Sequence, residues 1–146
     1  MLFKNDQASL QLDVFNYELP DAFDGDPTSD DRNWLVLRAT YIDEDGDITK
    51  DSNSCLLTYE LREMTAGLKV GNAGIRDRYE SSFTEPYFLL NAETEEDGFR
   101  VEVSFFLPNT MDGDDTADIA VHLTKDEMRA LIDELDKLCA KFPDRE

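Results

Sequence analysis

The stretch Tyr41 to Ser54, "YIDEDGDITKDSNS", sets Asp43, Asp45 and Asp47 at alternate positions around Gly46. Carboxylates alternating about a glycine suggest a calcium loop, in which oxygen ligands ring the cation and glycine permits the sharp turn. The full pattern asks for ligands at loop positions 1, 3 and 5, glycine at 6 and a bidentate Glu at 12. With Gly46 at 6, Asp43 and Asp45 fill 3 and 5, but Tyr41 stands at 1 and Ser52 at 12. Both end ligands are missing, and the run before the loop, "NWLVLRATYI", has strand rather than helix character. A hairpin turn centred on Asp45-Gly46 explains the same letters, and leaves weak cation binding as an incidental property of clustered carboxylates.

Other residues able to do chemistry stand alone. His122 is the single histidine, so no second imidazole exists for a metal site, and no G-x-S-x-G accompanies it. On the alternating run "DIAVHL" it falls opposite Val121 and Leu123, as a solvent-side residue. Most acids lie in polar loops, where a carboxyl does not hold its proton near neutrality. Glu85, among aromatics in "SFTEP", is the exception, and reads first as a structural hydrogen-bond acceptor at a strand start. "GNAGIR" lacks the preceding strand of a phosphate-binding loop. Cys55 and Cys139 are far apart, outside any C-x-x-C pair, and read as buried free thiols. No catalytic set, metal set or cofactor motif emerges.

The elements that position these residues follow from periodicity. "SLQLDVFNYELP" alternates through Leu10, Leu12 and Val14, which predicts a strand ending near Pro20. Asp21 to Asp31 is a loop. Asn33 to Ile42 is a second strand, apolar on both faces and therefore central or covered by a helix. A third strand runs from near Asp47 toward Leu57. "TYELREMTAGLKVG" is a helix with Thr58 as N-cap, Leu61, Met64 and Leu68 as its stripe and Gly71 as its stop. Ser81–Glu93 and Gly98–Pro108 flank the turn "TEEDG" as a hairpin, and Phe99, Val101, Val103 and Phe105 share one face of its second strand. Asp118–Leu123 is a last strand. Thr124 and Glu127 form a capping box, and Met128, Leu131, Ile132, Leu135, Leu138 and Phe142 recur at helical spacing. The expected class is α+β: mostly antiparallel sheet, with a middle helix and a C-terminal amphipathic helix packed on it, in one domain spanning residues 1–146.

Charge is the strongest compositional signal. Thirty-four acids face fourteen bases, a formal net charge of −20 at pH 7. That field repels nucleic acid and anionic membrane, and accelerates association with basic proteins and cations; on composition alone, solubility or adaptation to a salty medium is the favoured reading. No basic-then-apolar leader and no membrane-length apolar run occurs, so the expected location is the cytoplasm. Four segments, Asp21–Asp31, Asp43–Asp51, Glu93–Asp97 and Asp112–Asp118, hold eighteen of the thirty-four acids. In an antiparallel sheet several such loops can gather at one end and steer a basic partner there.

The strings "YELPDA", "NWL", "SCLLTYEL" and "SFTEP", followed by an amphipathic helix ending "KFP", resemble in the same order the WapI-type immunity proteins of bacterial polymorphic and contact-dependent toxins. "CLLTYEL" (Cys55 to Leu61) and "SFTEP" (Ser82 to Pro86) are the most specific pieces. The resemblance implies a non-enzymatic inhibitor that binds the C-terminal domain of a cognate toxin. The family's type toxin attacks RNA, so the partner is expected to be a basic nuclease. The matching strings would hold the core through Trp34, Leu57, Leu61 and Phe83. Toxin binding would then fall to acidic loops: Asp43, Glu44, Asp45 and Asp47 in one, Asp112, Asp114 and Asp115 in another. A nucleic-acid mimic, with acids spaced like phosphates, ranks second. A carboxylate-based or metal-assisted hydrolase, with a concave pocket and a raised carboxyl pKa, ranks third.

Overall fold

The computed structural model describes residues 1–19, 31–108 and 115–145. Its elements are β1 (Leu2–Lys4), β2 (Ser9–Tyr17), β3 (Trp34–Ile42), β4 (Ile48–Leu57), α1 (Thr58–Asn72), β5 (Arg78–Glu80), β6 (Phe88–Glu95), β7 (Gly98–Phe106), β8 (Thr116–Leu123) and α2 (Lys125–Lys141). A 3-10 turn, Asp31–Asn33, precedes β3. The class is the expected α+β, but the strands divide into two sheets, β1-β2-β3-β4 and β5-β6-β7-β8, each an antiparallel meander.

Alternation decides which faces close on the core. In β7, Phe99, Val101, Val103 and Phe105 are buried, while Arg100 and Glu102 are exposed. In β3, Leu35, Leu37 and Ala39 face inward, and pairing with β2 and β4 on either side gives it the interior position its apolar composition implied. One hydrophobic cluster joins the inner faces of both sheets to Leu61, Met64 and Leu68 of α1 and to Met128, Leu131, Ile132 and Leu135 of α2. The sheets also meet along β1 and β8, where Asn5 Nδ2 donates to Ala120 O at 3.0 Å. Leu57 and Leu61 are core residues, while Trp34 and Phe83 are half-buried; Phe83 stacks on Phe88 with 5.4 Å between centroids.

Several boundaries differ from the sequence expectation. Leu57, not Thr58, occupies the N-cap of α1. The Thr58 hydroxyl donates instead to Asp144 Oδ1 at 2.6 Å, and the Leu57 N–H is taken by Glu60 Oε1 at 3.0 Å. The helix also runs through Gly71 and ends at Asn72. The stop is Gly74, at φ 75°, where Gly74 N–H donates to Gly71 O and Ile75 N–H to Val70 O, the two bonds of a Schellman ending. Ser81–Tyr87 is irregular rather than strand, so β6 begins only at Phe88. The Thr124–Glu127 capping box forms as expected, with reciprocal bonds of 3.1 Å.

Candidate functional site

The turn from Ile42 to Ile48 joins β3 to β4 and brings Asp43, Asp45 and Asp47 together. Asp43 Oδ1 accepts from the backbone N–H of Asp45 at 2.9 Å and of Asp47 at 3.0 Å. Gly46, at φ 83°, closes the turn by donating to Asp43 O. Asp43 is thus the structural acid of the hairpin, while Glu44, Asp45 and Asp47 project into solvent. Carboxylate oxygens of Asp43, Asp45 and Asp47 lie within 4.8 Å of one another. Three negative charges at that spacing repel, and a cation or a basic side chain from a partner relieves the repulsion. The flanking elements are strands, so the arrangement is the hairpin expected from Asp45-Gly46 and not a helix-flanked calcium loop.

Successive connections of an antiparallel meander leave from opposite ends. The β2–β3 connection and the Asp43–Asp47 turn therefore sit at opposite ends of the first sheet, and the β6–β7 turn and β7–β8 connection at opposite ends of the second. Of the first acidic segment only Asp31 is described; Asp21, Asp24, Asp26 and Asp30 lie outside the described residues. Of the acids in the β7–β8 connection, Asp115 is exposed and accepts Leu107 N–H at 2.9 Å through its backbone O, whereas Asp112 and Asp114 lie outside the described residues. Along the seam between sheets, Leu2 and Phe3 line a cavity with Leu123 while Asn5 reaches Ala120, so β1 runs down β8 toward its start. The side of the first sheet carrying Asp43–Asp47 and the start of β8 next to Asp115 lie in the same direction along that seam.

Among the described residues the most deeply buried acid is Glu60, at 2% exposure, followed by Asp51 at 9%, whereas Glu85 is half-buried. Glu60 accepts two backbone N–H groups, from Leu57 and Thr84, a structural role that sequence reasoning missed because it sits three places after an apolar cap. Among the described residues, the groups pushed furthest from their ordinary values are a thiol and a phenol. Burial, with Glu60 and Glu85 nearby, raises Cys55 to about 12; burial, with Glu63 and Glu60 nearby, raises Tyr79 to about 12. Cys55 is buried as expected, whereas Cys139 is only half-buried, its Sγ 3.6 Å from Thr65 Oγ1. His122 faces solvent and contacts Glu95 at 2.8 Å.

A further cluster unforeseen from sequence is formed by Pro143–Arg145. Asp144 binds Thr58 and Arg62, and its carboxyl is held below the usual range, first by the Thr58 hydroxyl and then by Arg62. Arg145 donates to Leu19 O and Arg32 O, exchanges bonds with Asn33 and lies 3.7 Å over the Tyr17 ring. The segment ties the end of β2, the start of β3 and the start of α1 into one knot. Its partners are the side chains of Tyr17, Asn33, Thr58 and Arg62 and the carbonyls of Leu19 and Arg32, all distant in sequence, which no local pattern announces.

Residues 1–143 match the family described as "Immunity protein WapI-like family". Among solved structures, the fold is similar to Arabidopsis thaliana WHY1, with a TM-score of 0.54 at 16% identity over 97% of this chain and 88% of that one. It is also similar to the plant transcriptional regulator PBF-2, with a TM-score of 0.52 at 14% identity over 95% of this chain and 86% of that one. At those identities the likeness is one of fold alone. No curated protein sequence matches the chain.

Proposed function

Because the chain belongs to the WapI-like immunity protein family, we propose that it neutralises a cognate toxin C-terminal domain by binding it, and that this domain is a basic RNA-cleaving nuclease. The observation carrying the immunity role is the family match over residues 1–143. The nuclease reading rests on charge. An enzyme that cuts RNA must attract phosphate, and a protein of net charge −20 is electrostatically complementary to such a cleft.

In this reading the contacts come from Asp43, Glu44, Asp45 and Asp47 on the β3–β4 turn and from Asp112, Asp114 and Asp115 on the β7–β8 connection. The turn is prebuilt by its own backbone bonds to Asp43, so little ordering entropy is lost when a basic surface docks. No catalysis by the chain is involved, and the encounter takes place in the cytoplasm, where RNA is the toxin's target. The test is to identify the toxin domain, first in the neighbouring reading frame, and to co-express it with this protein. Protection of the host is expected. Continued killing in the presence of folded, abundant protein would overturn the proposal.

A further inference from the structure

The outer face of the second sheet is a mapped grid. The register sets Leu89, Ser104 and Asp118 in one row across β6, β7 and β8, and pairs Phe106 with Thr116 in the next outward-facing row. Beside Phe106, Tyr87 stacks its ring at 5.0 Å between centroids and 28° between planes. Tyr87 is 39% and Leu89 40% exposed. Three apolar side chains thus form an open corner on a face that is otherwise polar.

The charges of this face differ from one another in a decisive way. Its cations already have partners, Arg78 with Glu80 at 2.5 Å and Arg100 with Glu102 at 3.0 Å, and the His122 ring contacts Glu95 at 2.8 Å. Asp118 has no ion pair among the described residues. Its carboxylate is oriented by two hydroxyl donors, Ser104 Oγ and Thr116 Oγ1, the latter at 2.9 Å. An uncompensated, fixed carboxylate therefore stands one diagonal step, about 7–8 Å, from an exposed aromatic stack. An open groove of about 400 Å³ runs past it between Arg100 and Ala120.

We propose that this corner, Tyr87, Leu89 and Phe106 with Asp118 beside them, is the anchor point for an arginine-bearing segment of the toxin domain. The inference rests on the immunity reading above and adds a surface to it. A guanidinium is the one protein cation that stacks flat on an aromatic ring and also pairs with a carboxylate through a planar fork. Aromatic and arginine anchors at desolvated, prearranged sites carry most of the energy of protein interfaces. A second copy of the chain is the wrong occupant, because each copy carries −20 and would bring another acid-rimmed face to Asp118.

The experiment measures binding of the purified chain to the purified toxin domain identified by the co-expression test above. Tyr87→Ala, Leu89→Ser and Asp118→Asn are compared with the original, and Ile75→Ser, at 73% exposure outside this corner, serves as control. The Asp118→Asn variant keeps one acceptor oxygen for the Ser104 or Thr116 hydroxyl, while the other hydroxyl can turn to accept from the new amide, and each variant is checked for an unchanged melting curve. The expected result is a Kd weakened about tenfold or more for Tyr87→Ala and Asp118→Asn, and a double variant that loses less than the product of the two. The control should bind as the original does. If the original binds and the corner variants bind equally well, the anchor is elsewhere and the immunity reading stands. If the original does not bind, that reading falls and the anchor with it. Concentration-dependent self-association abolished by Leu89→Ser would assign the corner to a second copy and overturn the proposal.

Discussion

Glu60 Oε2 accepts a 2.6 Å hydrogen bond from the backbone N–H of Thr84, a residue 24 positions further along the chain. Through its other oxygen it accepts Leu57 N–H, so one buried side chain both opens α1 and pins the irregular segment before β6. Glu60→Ala leaves both donors without this acceptor and is expected to destabilise the fold by about 2–4 kcal/mol. Glu60→Gln keeps one acceptor oxygen and should cost less. Urea unfolding checks this as a lower midpoint at unchanged slope.

Two glycines resist substitution for different reasons. A Cβ on Gly98 would run into the backbone carbonyl oxygen of Leu123, and its φ of 150° already disfavours a side chain. Gly98→Ala should cost about 2–4 kcal/mol, because neither the strand carbonyl nor the turn can yield cheaply. A Cβ on Gly67 would press on the Tyr79 ring. Alanine favours the helix there by about 1 kcal/mol, while overpacking costs about 1–3 kcal/mol. The net loss for Gly67→Ala is smaller, and thermal unfolding should rank the two variants in that order.

Alkali should weaken the fold through Cys55 and Tyr79. Burial raises them from 9.0 and 10.0, respectively, to about 12. The unfolded chain releases these protons first, so stability present below pH 9 is lost as pH rises toward 12. Cys55→Ala should move the onset of this loss upward, as read by unfolding midpoints between pH 8 and about pH 11. In the folded protein at pH 8, iodoacetamide should modify Cys139 and spare Cys55, since burial suppresses the thiolate.

Asp144 acts at the opposite limit. Its carboxyl is lowered by the Thr58 hydroxyl and by Arg62, so its contribution is present above the unfolded value of about 3.9 and is lost as pH falls through the lower folded value. The group is about half exposed, at 46%, and solvent screens the Arg62 term. Asp144→Asn should be less stable than the original at neutral pH, and the difference should close in acid.

Replacing Asp43, Asp45 and Asp47 together by asparagine separates charge from structure at the β3–β4 turn. The amide oxygen introduced by Asp43→Asn can still accept the N–H groups that Asp43 Oδ1 holds. The hairpin should therefore persist, with stability equal or higher at low salt as the repulsion is removed. Association with the toxin domain should slow by about tenfold and lose part of its salt dependence. Stopped-flow mixing at two salt concentrations measures both. Unchanged association would remove this turn from the interface.

Local pattern determined a good deal here. Strict alternation through Phe99–Phe105 and helical spacing through Met128–Phe142 each have one solution, because a face that repeats every two or every 3.6 residues must bury as a unit. The Asp45-Gly46 hairpin and the Thr124 capping box were likewise legible, since their bonds close within a few residues. The strings "CLLTYEL" and "SFTEP" carried the family. What lay beyond them depended on groups brought together from distant positions. The division into two sheets, the short strands β1 and β5, the choice of Gly74 over Gly71 and the burial of Glu60 beneath Thr84 became visible only in three dimensions. So did the knot around Arg145 and the placing of Asp118 one diagonal register step from the Tyr87–Phe106 stack. Backbone carbonyls and N–H groups are the same at every position, so the sequence does not mark which of them will meet a particular carboxylate or guanidinium. The fold alone selects those partners.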